Sequence, residues 1–140
     1  MHPFRKAVEE RDDKGIQAML ADSVVFTSPV AFKPYVGKPI TAAILRGVLR
    51  IFEDFRYIRE IHDPGGRDHA FVFETGIAGV PGVKITGCDF LHFDDAGLVD
   101  DFMVMVRPLS GATALSEAMG AQFDRIKQEA LELANQSGTA

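Results

Sequence analysis

The strongest constraint on this chain is a change of hydrophobic period near Asp54. From there to about residue 107, apolar residues recur with the two-residue period of β-strands. Short segments rich in Gly, Pro and Asp interrupt the pattern at residues 63–67, 79–82 and 94–97. Strands joined by such short connections predict an antiparallel meander. The predicted strands are residues 55–62, 69–78, 83–93 and 98–107.

Neither face of these predicted strands is polar. In the last strand Phe102 and Val104 alternate with Met103 and Met105. An antiparallel sheet with one face in water would instead alternate apolar with polar residues. We therefore expect helices to cover one face of the sheet and a second copy of the chain to cover the other. The residues expected in this homodimer contact, through the outer face of the sheet, are Phe90, His92, Met103 and Met105.

Helices are predicted on both sides of the meander in sequence. Behind Pro39, apolar residues at i, i+4 and i+8 predict a long helix that runs to about Phe55, with Gly47 in its middle. A close approach by another segment is one reason to keep glycine at such a position. The other predicted elements are short helices at about 3–10 and 13–20, a strand at 23–28 and one long helix at about 110–136. This order makes residues 1–140 one α+β domain.

The composition limits the partners and the location. Fifteen Lys and Arg against twenty Asp and Glu give a net charge of −5, which argues against nucleic acid or an anionic membrane as a partner. No segment approaches the roughly 20 apolar residues of a membrane span, and the N-terminus lacks the apolar stretch of a signal peptide. The single cysteine, Cys88, cannot form an internal disulfide or build a zinc site alone. We expect a cytoplasmic protein.

The aromatic residues are almost all phenylalanine. The chain has 11 Phe and 2 Tyr but no Trp. Phenylalanine supplies bulk without a hydrogen-bonding group. So many Phe in a domain of this size indicate either a dense core or the lining of an apolar hollow, and the composition leaves both open.

Three segments carry a resemblance to a known family: residues 21–29 (ADSVVFTSP), 35–40 (YVGKPI) and 87–101 (GCDFLHFDDAGLVDD). In order and spacing they resemble the NTF2-like superfamily, and within it the SnoaL-like group. The resemblance covers about residues 3–110 and implies a cone-shaped barrel, in which a curved sheet wraps around a helix and encloses a cavity. The helix at about 110–136 is additional to that common core. Because the superfamily contains isomerases, epoxide hydrolases, polyketide cyclases, ring-hydroxylase subunits and non-catalytic binders, the resemblance does not select one activity.

Asp89 is the main candidate for chemistry. Strand alternation places it on one face with Gly87 and Leu91, among apolar neighbours, where burial raises the pKa of a carboxyl unless it is paired. Its position resembles that of the oxyanion-hole aspartate of ketosteroid isomerase, and the resemblance to SnoaL-like cyclases implies an acid–base role. A structural carboxylate, hydrogen-bonded to a neighbour such as Tyr57, is the alternative. Both interpretations stay open at this point.

Two further positions argue against steroid isomerisation. Where the resemblance would place the general base of the isomerase the chain has Ser28, and where it would place the oxyanion tyrosine the chain has Val8. We therefore predict that the protein is not a ketosteroid isomerase. If it is an enzyme, the expected reaction is an acid–base isomerisation, cyclisation or hydrolysis that needs no cofactor.

The histidines do not show the spacing of a metal centre. His92 lies close to Asp89 in sequence but falls on the opposite face of the same strand, where it is expected at the subunit contact. His62 and His69 flank a Gly-rich turn and are expected to be exposed, and His2 is terminal. The sequence thus predicts no metal site.

Together these patterns predict an apolar internal cavity for a small hydrophobic molecule, oriented by Asp89 or transformed by it. The alternative is a non-catalytic ligand-binding module, or a dimeric accessory or structural module with a filled core. The candidate pocket residues are Phe26, Ser28, Tyr35, Phe52, Tyr57, Phe71, Phe73, Phe102, Val104 and Val106.

Overall fold

The computed structural model describes residues 1–138, with side chains for residues 1–136. Over that range the helices are α1 (Pro3–Glu9), α2 (Asp13–Ala18), α3 (Lys38–Ile51), α4 (Leu109–Ala121) and α5 (Phe123–Gly138). The strands are β1 (Leu20–Thr27), β2 (Tyr35–Val36), β3 (Phe52–His62), β4 (Asp68–Ile77), β5 (Val80–Phe93) and β6 (Val99–Arg107). The predicted α+β class is confirmed.

One mixed sheet contains all the strands of the described chain, in the order β2-β1-β6-β5-β4-β3. Strands β3 to β6 form the predicted antiparallel meander. Strand β1 joins the sheet beside β6 and runs parallel to it. The hydrogen-bonded order ends at β2 and β3, so the sheet is open and is not a closed barrel. Strand β2, with two residues, is too short to extend the sheet further.

The long helix predicted to reach Phe55 ends earlier, at Ile51. The guanidinium of Arg11 donates to the carbonyl oxygens of Leu49 and Phe52 and so satisfies groups that the end of α3 leaves free. Strand β3 then begins, with Asp54 at φ 55° beside a shift in register. The prediction placed the helix end at Phe55 because the Phe55 side chain also packs against the core. It does so from the irregular start of β3 and not from a helix.

The single C-terminal helix predicted at about 110–136 is two helices, α4 and α5, separated at Gln122. The Gln122 side chain donates to the Gly47 carbonyl at 2.8 Å and accepts from Arg50 Nε at 2.9 Å. The break lets the two halves bury different faces: Leu115 of α4 packs toward the sheet, and Ile126 of α5 packs on α3. A break of one residue hardly disturbs the apolar periodicity, so the sequence pattern looks continuous.

The core lies between the inner face of the sheet and the helices. The rings of Phe4, Phe71 and Phe102 meet there, and all three are almost fully buried. Helix α1 therefore packs on the inner face of the sheet, with Phe4, Ala7 and Val8 buried. No helix among residues 1–138 is long and apolar enough to cross a membrane.

Candidate active site

Asp89 lies on β5, near the middle of the sheet, with Phe71 of β4 and Val104 of β6 directly opposite it. The residue is only 6% exposed. The phenol of Tyr57, on β3, donates a hydrogen bond of 2.6 Å to Asp89 Oδ2. Among the described residues, Tyr57 is the only donor that this carboxylate has, which leaves Oδ1 without a protein partner.

Burial raises the pKa of Asp89 to about 7, because the charged carboxylate loses its hydration. The Tyr57 hydrogen bond opposes this shift, since it favours the ionised form. The pKa of the Tyr57 phenol is raised well above its usual value by its own burial and by the nearby Asp89 charge. The phenol therefore stays protonated, while the carboxyl populates both forms near neutral pH.

Helix α1 fixes the position of Tyr57. Strand β3 is an edge of the sheet, so one side of its backbone has no strand partner. The Tyr57 N–H donates to the Glu9 carboxylate at 3.1 Å, and the Tyr57 carbonyl accepts from Arg5 at 3.1 Å. Arg5 also pairs with Glu9 and with Glu60. Sequence reasoning named Tyr57 but missed these two α1 residues, whose i,i+4 spacing is common on solvated helices.

A pocket of about 70 Å³ adjoins Asp89. Its walls come from the inner face of the sheet, from α1, α2, α3 and α4 and from the loop after β1, and they are apolar except at Ser28, Tyr57 and Asp89. The pocket is much smaller than the roughly 300–1,000 Å³ of ordinary small-molecule sites. It can hold only a very small molecule without movement of its walls.

Most of the side chains predicted to line a pocket do line this one: Phe26, Ser28, Phe52, Tyr57, Phe73, Phe102, Val104 and Val106, with Asp89. The other two lie elsewhere. Phe71 faces the interior but is fully buried under Phe4, so it belongs to the packed core. Tyr35 lies on the short edge strand β2, where its ring contacts Phe123 of α5.

The sequence did not identify the part of the wall that comes from the helices. Phe4 and Val8 of α1 and Leu115 and Met119 of α4 line the pocket. Their helical spacing indicates a buried face but not which cavity that face covers. The structure shows that α4 covers the pocket of its own chain.

The histidines differ from expectation in one respect. His92 lies on the outer face, as expected, with Nδ1 2.6 Å from Asp100 Oδ1, and this carboxylate raises its pKa. His62 is exposed, as expected, but His69 is half-buried, and the Nδ1 atoms of the two rings lie 2.6 Å apart. Within the described residues, no group of three or more His, Cys, Asp or Glu side chains has the arrangement of a metal centre.

Solved structures with the same fold include two that are also similar in sequence. One is described as a steroid delta-isomerase from Pseudomonas aeruginosa, with 38% identity, TM-score 0.80 and 87% of each chain covered. Another is an uncharacterised bacterial protein with a cystatin-like fold from Silicibacter pomeroyi, with 32% identity, TM-score 0.78 and coverage of 86% of this chain and 82% of that one.

A third structure shows the fold alone: a putative SnoaL-like polyketide cyclase from Shewanella denitrificans, with 16% identity, TM-score 0.60 and coverage of 86% and 93%. No curated protein matches the sequence significantly. The family model of the SnoaL-like domain matches residues 2–102. With that match over most of its length, and with two similar structures above 30% identity, the chain belongs to the SnoaL-like domain family of NTF2-like proteins.

Proposed function

We propose that this protein binds a small, mostly apolar molecule in the pocket beside Asp89 and catalyses a proton transfer on it. The observation that carries the proposal is a buried carboxyl, hydrogen-bonded by Tyr57, with a pKa of about 7 in an otherwise apolar pocket. A group that is about half ionised at neutral pH can accept a proton and also return it. Both steps are required of an acid–base isomerase or cyclase.

In this mechanism Asp89 removes a proton from one atom of the ligand and returns it to another, so the carboxyl ends in its starting form. The Tyr57 phenol stabilises the ionised state of the carboxyl by donating to Oδ2. Oδ1, which has no donor among the described residues, is the oxygen available to the ligand. The apolar walls exclude water, which would otherwise compete for the proton.

The 38% identical structure is described as a steroid isomerase, which supports an isomerase-type proton transfer. We do not propose a steroid as the substrate of this chain. Ser28 and Val8, the residues at the positions expected to hold a base and a phenol, both lie in the pocket wall. Neither supplies a carboxylate or a phenol, and a pocket of about 70 Å³ is far too small for a steroid.

The second candidate is a binding module without catalysis. The small volume favours a filled core over a catalytic pocket, since an engineered apolar cavity that binds benzene has about 150 Å³. For a larger ligand, Leu115 and Met119 of α4 have to move away from the sheet, because they form part of the pocket wall. A pocket that never opens would be the filled core of an accessory subunit.

We also propose that two chains associate through the outer face of the sheet. This face exposes Phe90 on β5 and Met105 on β6, and Met103 lies opposite Phe90. A second copy would cover these side chains.

The cytoplasmic location stays a prediction from the sequence.

Deuterium exchange tests the catalytic proposal whatever the natural substrate is. Acetone and butanone, which are smaller than benzene, are incubated with the protein in D₂O, and NMR follows deuterium entering the acidic carbon positions. The wild type should accelerate exchange, and Asp89→Asn should lower the rate by about 100-fold or more. Asp101→Asn, which changes an exposed carboxylate on β6, is the matched control and should keep the wild-type rate.

Ligand binding is measured on the same samples by chemical-shift perturbation. Binding retained by Asp89→Asn with exchange lost supports catalysis. Binding without exchange in any variant supports the non-catalytic module. A β,γ-unsaturated steroid ketone serves as the expected non-substrate, and its turnover would overturn the argument from Ser28 and Val8.

A further inference from the structure

A second cluster of titratable side chains lies away from the Asp89 pocket, where the β3–β4 hairpin turns. His62 and His69 are directly paired across the two strands. Their Nδ1 atoms are 2.6 Å apart. On the other side of each ring, His62 Nε2 lies 3.0 Å from Glu60 Oε1, and His69 Nε2 lies 3.0 Å from the Gly66 carbonyl oxygen.

These outer partners determine where the ring protons are. A carbonyl oxygen can only accept, so His69 Nε2 must carry a hydrogen. The Glu60 carboxylate forms an ion pair of 2.7 Å with Arg5, and a carboxylate oxygen also only accepts. His62 Nε2 therefore carries a hydrogen as well. A neutral imidazole has one N–H, which leaves a lone pair on each Nδ1.

Two lone pairs that face each other at 2.6 Å repel unless a cation lies between them. We propose that His62 and His69 form a two-histidine binding site for a late first-row divalent metal ion of the Zn²⁺ and Ni²⁺ class. When no metal is bound, the same two nitrogens lie within hydrogen-bond distance of each other. Unprotonated imidazole nitrogen is a favoured ligand of these metals.

The surroundings match those of a histidine metal ligand. Such ligands usually donate their other ring N–H to a carboxylate or a backbone carbonyl, which orients the ring and raises its basicity. Here the Glu60 carboxylate accepts from His62 Nε2, and the Gly66 carbonyl oxygen accepts from His69 Nε2. The side chain of His62 is 40% exposed, so water can complete the coordination. Metal–nitrogen bonds of roughly 2.0–2.1 Å require the two Nδ1 atoms to move apart from 2.6 Å, which rotation of the exposed His62 ring permits.

His2 is not a third ligand. Its ring centroid lies 4.9 Å from that of His69, but its Nδ1 accepts the N–H of Phe4 at the start of α1. The remaining nitrogen then holds the proton of the neutral ring. Burial first, and then the charges of His69 and His62, lower the pKa of His2, so this ring adds no permanent positive charge. The other charges that act on His2 are Glu60, which forms an ion pair with Arg5, and the N-terminal amine.

From the spacing of the histidines in the sequence, no metal site was expected, and the proposal departs from that expectation. Seven positions separate His62 from His69, and a Gly-rich turn lies between them. Only the register of the hairpin shows that the two residues are opposite each other on the same face.

Titration of the intact chain with Zn²⁺ by calorimetry tests the proposal. The wild type should bind one ion per chain, and His62→Gln and His69→Gln should each weaken binding by at least about tenfold. His92→Gln is the matched control, since the His92 side chain is 39% exposed and lies on the outer face beside Asp100. It should bind like the wild type. Circular dichroism verifies that each variant is folded.

A measurement on the wild type alone keeps the test independent of folding. Paramagnetic Cu²⁺ should broaden the ring proton signals of His62 and His69 before those of His92. Absence of saturable binding would mean that the pair holds a proton only and would overturn the proposal. Equal broadening at His92, or binding that survives both substitutions, would overturn it as well. The result does not depend on the Asp89 proposal, because neither histidine lines that pocket.

Discussion

At the scale of single residues, burial of Asp89 destabilises the folded chain when the carboxyl is ionised, and the same burial allows the carboxyl to exchange a proton near neutral pH. A buried carboxyl with one hydrogen bond is poorly compensated for the water it has lost. The fold tolerates it because the carboxyl can stay protonated at moderate pH. Because its pKa is about 7, the Asp89 carboxyl can also exchange a proton near neutral pH.

Asp89→Asn should therefore change the pH dependence of stability. The pKa of this carboxyl rises from an ordinary value of 3.8 to about 7 in the folded chain, so folding favours its neutral form. The associated stability is fully present below pH 4 and is lost as the pH rises to about 7, in total roughly 4 kcal/mol. Asparagine cannot ionise, and its oxygen can still accept from Tyr57. The free energy of unfolding of the wild type should thus fall relative to the variant across this window.

Urea unfolding of both proteins between pH 4 and 8 measures this difference. Asp101→Asn again provides the control, because an exposed carboxylate should give a nearly constant difference. Parallel curves for the wild type and Asp89→Asn would show that Asp89 is ionised throughout, and would remove the basis of the acid–base proposal.

At the scale of elements, the docking of α5 on α3 depends on a glycine. A Cβ built on Gly47 would lie 2.8 Å from Ile126 Cδ1 and 3.1 Å from Cγ1. Ile126 is fully buried, so its side chain has little room to move. Ion pairs from Arg46 and Arg50 to Glu129 hold the same two helices together. The close approach that the sequence offered as one reason for Gly47 is present.

Gly47→Ala should destabilise the protein by about 1–3 kcal/mol, although alanine is the better helix former. Gly120, near the end of α4, is the matched control, because a Cβ there meets no atom within 4 Å. Gly120→Ala should be neutral or stabilise by up to about 1 kcal/mol. Thermal unfolding distinguishes the two. A stabilised Gly47→Ala would mean that α5 is not docked in this position.

The boundaries of the elements show how much the sequence determines. The meander followed from period-two patterns and short turns, which are local signals, and all four of its strands are present. The end of α3 and the break at Gln122 depend instead on Arg11 and on the Gln122 amide reaching distant backbone carbonyls. Such contacts join residues far apart in sequence and leave no periodic signal.

The candidate site follows the same division. Alternation along the strands was enough to place Asp89 and most of the sheet side of the pocket on one face. The helical wall, the fixing of Tyr57 by Glu9 and the pairing of His62 with His69 required the tertiary arrangement. Local sequence patterns predict which face of a strand or helix a side chain lies on. The residue that it contacts is known only from the packing of the whole chain.

At the scale of the whole molecule, the outer face of the sheet is the main apolar surface left to explain. Met105 is 54% exposed there, and Phe90 is partly exposed on the adjacent strand. Cys88 pairs directly with Met105 across the strands and lies on the same face. Exposed apolar side chains that cluster on one face of a sheet are typical of a surface that a second chain covers.

Met105→Glu should convert the proposed dimer into a monomer, because a charge buried in an apolar contact has no compensating partner. Sedimentation equilibrium at several concentrations measures the change, and the dissociation constant should rise by about 100-fold or more. Leu109→Glu alters a side chain that is 83% exposed at the start of α4, and it should leave the association unchanged. Dilution of the wild type should in parallel speed the labelling of Cys88 by a thiol reagent. A wild type that is monomeric at every concentration, with Cys88 labelled at one constant rate, would show that this face has no second copy on it.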